Sequence, residues 1–463
     1  VAVKLALPKG RLLRKTAARL DRAGWGLDEY NSSIGYYRPK SEKFPEVLIR
    51  VFHEKDIPIQ IATGNYDLGI CCRDWVEELL AKYPSSAIVK VSDLGYGQGS
   101  LYTAAVAPPR ANGAPVRIAS EYPNLAEAYA LRKRLSRFSV FPVWGAAEAY
   151  PPENAELVLL PAGEGNIGGA GLTPLERVLD YSACLIANRA SRTAKDLDKI
   201  ITSLCTAVSS EKAASGVEPS PPGEIRTTVS VKASPGTVRL ALPDGHQQQQ
   251  TVNLLNRAGI AVSDYPSATG NRRPAIDIKG VTVKVIRPQD MPLQVANGNF
   301  DLAVTGRDWL ADHSAQFPAS PVSEVLDLRL RRVRLVAVVS NEVPADDVAG
   351  LRDYIARRGE ALRVASEYVN LADKYARDNH LGHYHVIPTW GATEGFLPED
   401  ADLLIENTET GRTIARHNLK IIDTLFESTA CLIGNNAALS DAAKKKRIGL
   451  IVGKLKTAVE AGA

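Results

Sequence analysis

Asp56–Trp75 reads DIPIQIATGNYDLGICCRDW, and Asp290–Trp309 reads DMPLQVANGNFDLAVTGRDW. The two stretches agree, in order, at Pro58 and Pro292, Gly64 and Gly298, Asp67 and Asp301, and through Arg73-Asp74-Trp75 and Arg307-Asp308-Trp309, which marks an internal repeat. Each has the same local grammar. Asp-x-Pro predicts a helix start, with Asp as the N-cap and Pro in the first turn. A Gly-Asn pair and a short apolar strand follow, YDLGICC in one case and FDLAVTG in the other. A helix N-terminus opening beside a strand end offers backbone N–H groups to an anion.

Outward from this anchor, further segments pair in the same order. LALPKG at Leu5 returns as LALPDG at Leu240, and RIASEYPNLA at Arg117 as RVASEYVNLA at Arg363. VWGAAEAYPPENAEL at Val143 returns as TWGATEGFLPEDADL at Thr389, and YSACLIAN at Tyr181 as STACLIGN at Ser428. The chain is a tandem duplication, with copies over 1–210 and 237–463. The stretch 211–236, with EKAASGVEPSPPGEIRTT at its start, is rich in Pro, Gly and Ser and reads as a linker.

Within a copy, apolar runs (VKLAL, VLIRVF, YDLGICC, VRIAS) alternate with helical periodicities such as RLLRKTAARLDRAG, NLAEAYALRKRL and AKDLDKIITSLCTAV. The alternation predicts an α/β protein with mixed sheets. Its 463 residues exceed one ordinary core. A hydrophobic content of 45% with 23% charged residues is that of a globular protein rather than a disordered one. No run approaches the ~18 uninterrupted apolar residues of a membrane span. A net charge of +4 spread along the chain does not point to nucleic acid. Cys71, Cys72, Cys184, Cys205 and Cys431 form no CxxC pair and no even set, which predicts reduced thiols. The opening VAVKLAL lacks the order of a secretory signal, so the expected location is cytoplasmic.

The chemistry concentrates in ADLLIENTETGRT, Ala401–Thr413, a strand running into an acidic turn. Gly411 lets the backbone approach an anion, and Thr410 and Thr413 add hydroxyl donors. Glu406 and Glu409 are candidates for ribose hydroxyls or for Mg²⁺, which prefers a few carboxylates plus substrate oxygens. An ordinary strand-to-helix turn has the same spacing.

This turn resembles the phosphoribosyl-pyrophosphate loop of the ATP phosphoribosyltransferases, D-L-V-E-T-G-x-T, with Glu406 where the family has Asp. Other family segments follow in order: A-x-P-K-G-R-L at Ala6–Leu12, R-P-Q-D-I-P at Arg287–Pro292, and D-L-G-I-T-G at Asp301–Gly306 with Ala303 for Gly. The K-Y-P-N-L type falls at Glu121–Leu125, and G-x-x-E-x-x-P at Gly145–Pro151. The resemblance implies two tandem copies of a two-lobed unit, which also resembles type II periplasmic-binding-protein folds. It also implies ATP and phosphoribosyl pyrophosphate as substrates: adenine N1 attacks ribose C1 and pyrophosphate leaves, with Mg²⁺ as cofactor, in the first step of histidine biosynthesis.

The copies diverge in complementary ways. Copy one keeps Lys9 and Arg11 where copy two has Asp244 and His246, whereas copy two keeps Arg287 where copy one has His53. Copy two keeps Arg334 against Ser100, but Arg329 and Arg331 replace Gly95 and Gly97. Copy one replaces the loop with LPAGEGNIGGAGLTP, Leu160–Pro174. In the family a neighbouring subunit contributes basic residues across a dimer interface. The resemblance therefore implies one site on Glu406, Glu409, Thr410, Gly411, Arg412 and Thr413, with Glu406 as metal ligand, Arg287 and Arg334 as catalytic residues, and Lys9 and Arg11 supplied by copy one. It implies no C-terminal regulatory domain after copy two. A homo-oligomer or a regulatory subunit is an expected partner, and nucleic acid and membrane are not.

Two motifs compete with this reading. GEGNIG at Gly163–Gly168 fits a dinucleotide turn, but no helix follows directly. His380, His383 and His385 have the composition of a metal site, yet alternation around Tyr384 reads as a strand edge. A nucleotide-binding regulator of the same fold and a phosphoribosyltransferase for another base remain open alternatives.

Overall fold

The computed structural model describes residues 2–31, 37–106, 115–162, 171–206 and 236–462. The linker at 211–235, and GEGNIG with it, lie outside the described residues. The fold is α/β with mixed sheets, as expected. Expected elements form where their patterns lie: strands at Lys4–Lys9, Leu48–His53, Leu68–Cys72 and Val116–Ser120, and helices at Leu13–Arg22, Pro123–Arg132 and Asp198–Thr206. No described helix is long and apolar enough to cross a membrane. The cysteines are free, and all but Cys205 are buried.

The compact units of the chain do not coincide with its sequence copies. The first unit draws its described residues from Val1–Leu101, Val178–Glu218 and Val336–Leu425, the second from Tyr102–Arg177, Pro219–Leu335 and Phe426–Ala463. Each unit thus joins one lobe of copy one to the complementary lobe of copy two. Among the described residues, the chain passes between them within four strands, Gly99–Ala105, Thr173–Tyr181, Val322–Ser340 and Leu419–Asn435.

In the first unit, the copy-one lobe is a sheet in the order Leu48–His53, Lys4–Lys9, Leu68–Cys72, Ala183–Asn188, Ile88–Asp93. Its first three strands are parallel, and Ala183–Asn188 runs antiparallel to both neighbours. The copy-two lobe supplies parallel strands at Leu403–Thr408, Leu362–Ser366 and Tyr384–Pro388. The last of these is an edge strand, where the His383 and His385 alternation placed it. The lobes share one core in which Phe52, Ile57 and Tyr66 of copy one pack with Phe396, Leu397 and Ile414 of copy two. Phe52 meets Phe396 edge-on, with centroids 5.0 Å apart, a favoured aromatic geometry. Arg50 and Arg38 both pair with Glu399, and the Tyr66 hydroxyl donates to Asp400 at 2.8 Å.

The second unit repeats this plan with the copies exchanged. Val281–Ile286, Val238–Pro243 and Leu302–Gly306 form the parallel part of its copy-two sheet. Met291, Val295 and Phe300 pack with Val143, Tyr150 and Val158 of copy one. Glu153 accepts from Arg273 and Lys284, as Glu399 does from Arg38 and Arg50. The helix Ala442–Glu460 closes the copy-two lobe with Ile448, Ile451 and Leu455.

The Asp-x-Pro helix starts need correction. Pro58 and Pro292 stand in the first turn as expected, but neither Asp56 nor Asp290 makes a side-chain cap bond. Asp290 instead accepts the Trp144 backbone N–H on both oxygens, at 3.1 Å, so it clasps copy one's lobe. Asp56 faces the Trp390 backbone N–H, and burial pushes its carboxyl well up. Tertiary packing claims a carboxylate that local propensity assigns to the helix.

Candidate active site

The strand Leu403–Thr408 delivers the acidic turn, and a short helix, Arg412–Arg416, leaves it. Gly411 joins them at φ +73°, a left-handed backbone that favours glycine. A methyl group built on Gly411 would meet no protein atom within 4 Å, so the backbone here is approachable. The turn is held from inside: the Gly411 N–H donates to the Thr408 hydroxyl at 2.9 Å, and the Arg412 N–H points to the Thr410 hydroxyl at 3.4 Å. Thr408 stands where the family pattern has Val, and the sequence alone singled out only the hydroxyls of Thr410 and Thr413. Glu409, Thr410 and Arg412–Thr413 face outward from it, largely exposed.

Glu406 sits at the base of the turn and accepts the Asn407 N–H at 3.1 Å. Burial, then the neighbouring Glu394 and Glu367 carboxylates, push its own carboxyl well up, although a Thr393 hydrogen bond opposes them. Burial likewise raises Glu394, which feels the opposing charge of Lys9. Glu394 and Glu367, unmarked as site residues by sequence, therefore complete an acidic cluster around Glu406. Among the described residues no set of three or more acids, histidines or cysteines is arranged to hold a metal by itself.

Lys9 comes to this cluster from copy one. It ends the strand Lys4–Lys9, and its ammonium donates to the Tyr37 hydroxyl at 2.6 Å. Arg11 behaves differently. Its guanidinium bonds Glu54 at 2.8 Å and Asp74 at 2.5 Å and lies 5.1 Å over the Tyr181 ring, all within the copy-one lobe. Burial raises Glu54 to about 7 against the pull of Arg11. His53, at copy two's Arg287 position, is lowered to about 3 by burial and by Lys55, Lys9 and Arg11. It stays neutral, so it adds no repulsion to three nearby cations.

The second unit holds the counterpart positions in a different state. Asp244, in place of Lys9, accepts from Arg272 at 2.7 Å and faces Arg287 at 3.5 Å. Arg272 also reaches Glu148, the counterpart of Glu394, at 2.7 Å. Burial opposes ionisation of Asp244, but Arg272 and Arg287 hold its carboxyl below the usual range. Leu160 stands where copy two has Glu406. These charges are satisfied among themselves. Arg287 passes over Gly145, where a methyl group would lie 2.8 Å from its Nε, so glycine there makes room for the guanidinium. Arg334 is half-buried on the strand Val322–Ser340. Arg287 and Arg334 thus belong to the second unit, whereas Lys9, Arg11 and the 406–413 turn belong to the first.

Comparison with known proteins agrees with the motifs. The profile of the ATP phosphoribosyltransferase family matches residues 53–210 and again 287–457, once in each copy. The ATP phosphoribosyltransferase of Prosthecochloris aestuarii is 33% identical over 236 residues, spanning 50% of this chain and 74% of that protein. The Chlorobaculum parvum protein of the same name is 33% identical over 233 residues, 49% of this chain and 74% of its own. Among solved structures, a chain of the ATP phosphoribosyl transferase (HisG:HisZ) complex from Thermotoga maritima aligns at TM-score 0.40 and 20% identity, over 48% of this chain and 99% of that one. On the family match and these relatives, the chain belongs to the ATP phosphoribosyltransferase family and is a phosphoribosyl-transferring enzyme.

Proposed function

We propose that the chain condenses ATP with phosphoribosyl pyrophosphate to N1-phosphoribosyl-ATP and pyrophosphate, at one working site built on the 406–413 turn of copy two and completed by Lys9 of copy one. The observation that supports this reading is that Tyr37, which holds the Lys9 ammonium, stacks within the same compact unit on His417 at the end of the turn's helix and packs at Gly395, beside Glu394. In the reaction the N1–C1 bond forms, the C1–O bond breaks, and pyrophosphate leaves with the electron pair. Adenine N1 is itself nucleophilic, so the protein's contribution is positioning and electrostatics. Gly411, Thr410 and Thr413 would take the 5-phosphate, and Glu406 would accept from the ribose hydroxyls. Lys9 would face negative charge on the substrate. Arg11, tied to Glu54 and Asp74, would act by shaping the copy-one lobe rather than by reaching substrate. Arg287 and Arg334, the other candidates, lie in the second unit and take no part in this proposed site.

The donor chemistry of Glu406 and Glu394 fits a divalent cation that arrives with the pyrophosphate, because Mg²⁺ takes a few carboxylates plus substrate oxygens. When bound, Mg²⁺ would neutralise charge on the leaving group. Copy one supplies Lys9 within the chain, so this contact needs no second subunit, and a regulatory partner would act elsewhere. The test is pyrophosphate release from purified protein with phosphoribosyl pyrophosphate, ATP and Mg²⁺, followed together with the ultraviolet absorbance of the product. Both signals are expected, and both are expected to vanish in Glu406→Gln. Nucleotide binding without either signal would overturn the catalytic reading in favour of a regulator, and turnover with a different base would reassign the acceptor.

A further inference from the structure

Lys9 and a second residue change together between the two units, around a glutamate that both units keep. The Tyr37 carbonyl accepts the Val51 N–H at 3.0 Å, and the Arg272 carbonyl accepts the Val285 N–H at 2.9 Å. Val51 and Val285 occupy matching positions in the strands Leu48–His53 and Val281–Ile286, so Tyr37 and Arg272 are structural counterparts. The first unit therefore holds Lys9, Tyr37 and Glu394 where the second holds Asp244, Arg272 and Glu148. In the second, Arg272 bridges both acids at 2.7 Å and all three charges are paired. In the first, the counterpart of that arginine is a neutral phenol, whose hydroxyl accepts from the Lys9 ammonium. It orients the ammonium without cancelling its charge.

The placement of Tyr37 makes it a rigid support. Only 6% of it is exposed, and its ring stacks on His417 with centroids 4.9 Å apart and planes at 23°. His417 closes the helix that follows Gly411, its N–H donating to the Thr413 and Ile414 carbonyls at 3.1 and 3.2 Å. On the other side, Tyr37 Cβ packs 3.3 Å from where a methyl group on Gly395 would stand, beside Glu394. One ring thus touches the phosphate-loop helix, the turn carrying Glu394, and the ammonium. A lysine side chain otherwise samples many rotamers, and fixing it removes an entropy cost at the moment of binding.

We infer that Tyr37 is a positioning residue for phosphoribosyl pyrophosphate, holding the Lys9 ammonium in register with the 406–413 turn while leaving its charge for the substrate. This rests on the proposed reaction site. The experiment is a double-mutant cycle on the full chain with Lys9→Met, Tyr37→Phe and the pair, reading kcat and KM for each substrate and the affinity for phosphoribosyl pyrophosphate by calorimetry. Tyr37→Phe keeps the ring and its stack, so its melting temperature should match that of the parent. Its kcat/KM for phosphoribosyl pyrophosphate should fall about tenfold, the scale of one hydrogen bond to a charged group, with KM for ATP unchanged. In the Lys9→Met background the same substitution should change nothing further. Equal loss from Tyr37→Phe in both backgrounds, or no loss in either, would overturn the inference while leaving the reaction standing. A parent protein that neither turns over nor binds phosphoribosyl pyrophosphate would overturn the site reading itself, and the inference with it.

Discussion

Arg329→Gly is expected to stabilise the protein. Arg329 and Arg331 replace the glycines Gly95 and Gly97 of copy one, yet their backbones keep the left-handed conformation, φ +52° and +48° against +74° and +66°. The local bond is kept as well: the Arg329 N–H donates to Asp327 at 2.9 Å, as the Gly95 N–H does to Asp93 at 2.8 Å. The arginine side chain is exposed, so its removal opens no cavity. A non-glycine residue in the left-handed region costs about 1–2 kcal/mol, and a glycine loses about 0.5–1 kcal/mol of unfolded-chain entropy on folding. The difference is a gain of about 0.5–1 kcal/mol, or roughly 1–4 °C in melting temperature for a unit of this size. Scanning calorimetry of the parent, Arg329→Gly and Gly95→Ala measures it, with the last expected to move in the opposite direction. An unchanged or lower melting temperature for Arg329→Gly would refute the assignment of strain.

Glu406→Gln should abolish turnover and yet raise stability, increasingly so with pH. A carboxyl whose pKa is raised by folding adds stability below its unfolded value near 4.5 and loses it as pH rises towards the folded value. The melting-temperature difference between variant and parent should therefore grow above pH 4.5, and a constant difference would contradict it. Glu399→Ala strands two largely buried guanidiniums, Arg50 and Arg38. A loss of about 3 kcal/mol is expected from breaking such a buried pair, and a denaturation shift equivalent to under about 1 kcal/mol would show solvent compensating them. Titration calorimetry with phosphoribosyl pyrophosphate should give one site per chain, because Asp244, Arg272 and Glu148 satisfy one another in the second unit. Two equivalent sites would show that this network opens for ligand.

The duplication, the α/β elements and the phosphate-type turn were legible in the sequence because each is local. A period-two or helical pattern, a glycine between a strand and a helix, and a repeated segment are all carried by neighbours along the chain. Family resemblance drew attention to Lys9, Arg11 and the 406–413 turn on the same local grounds. What the chain does with these pieces was settled at long range. Pairing a lobe of copy one with a lobe of copy two turns Asp290 from an expected helix cap into a clasp on Trp144, and sets Asp56 facing Trp390. It ties Arg11 to Glu54 and Asp74 and leaves Lys9 beside Tyr37 and Glu394. Tyr37 and His417 touch across almost the whole chain, and no spacing rule links them. The physical reason is that buried carboxylates, cations and rings take whichever partner the packed core brings within reach. That choice belongs to tertiary structure, where desolvation makes every unmet polar group costly.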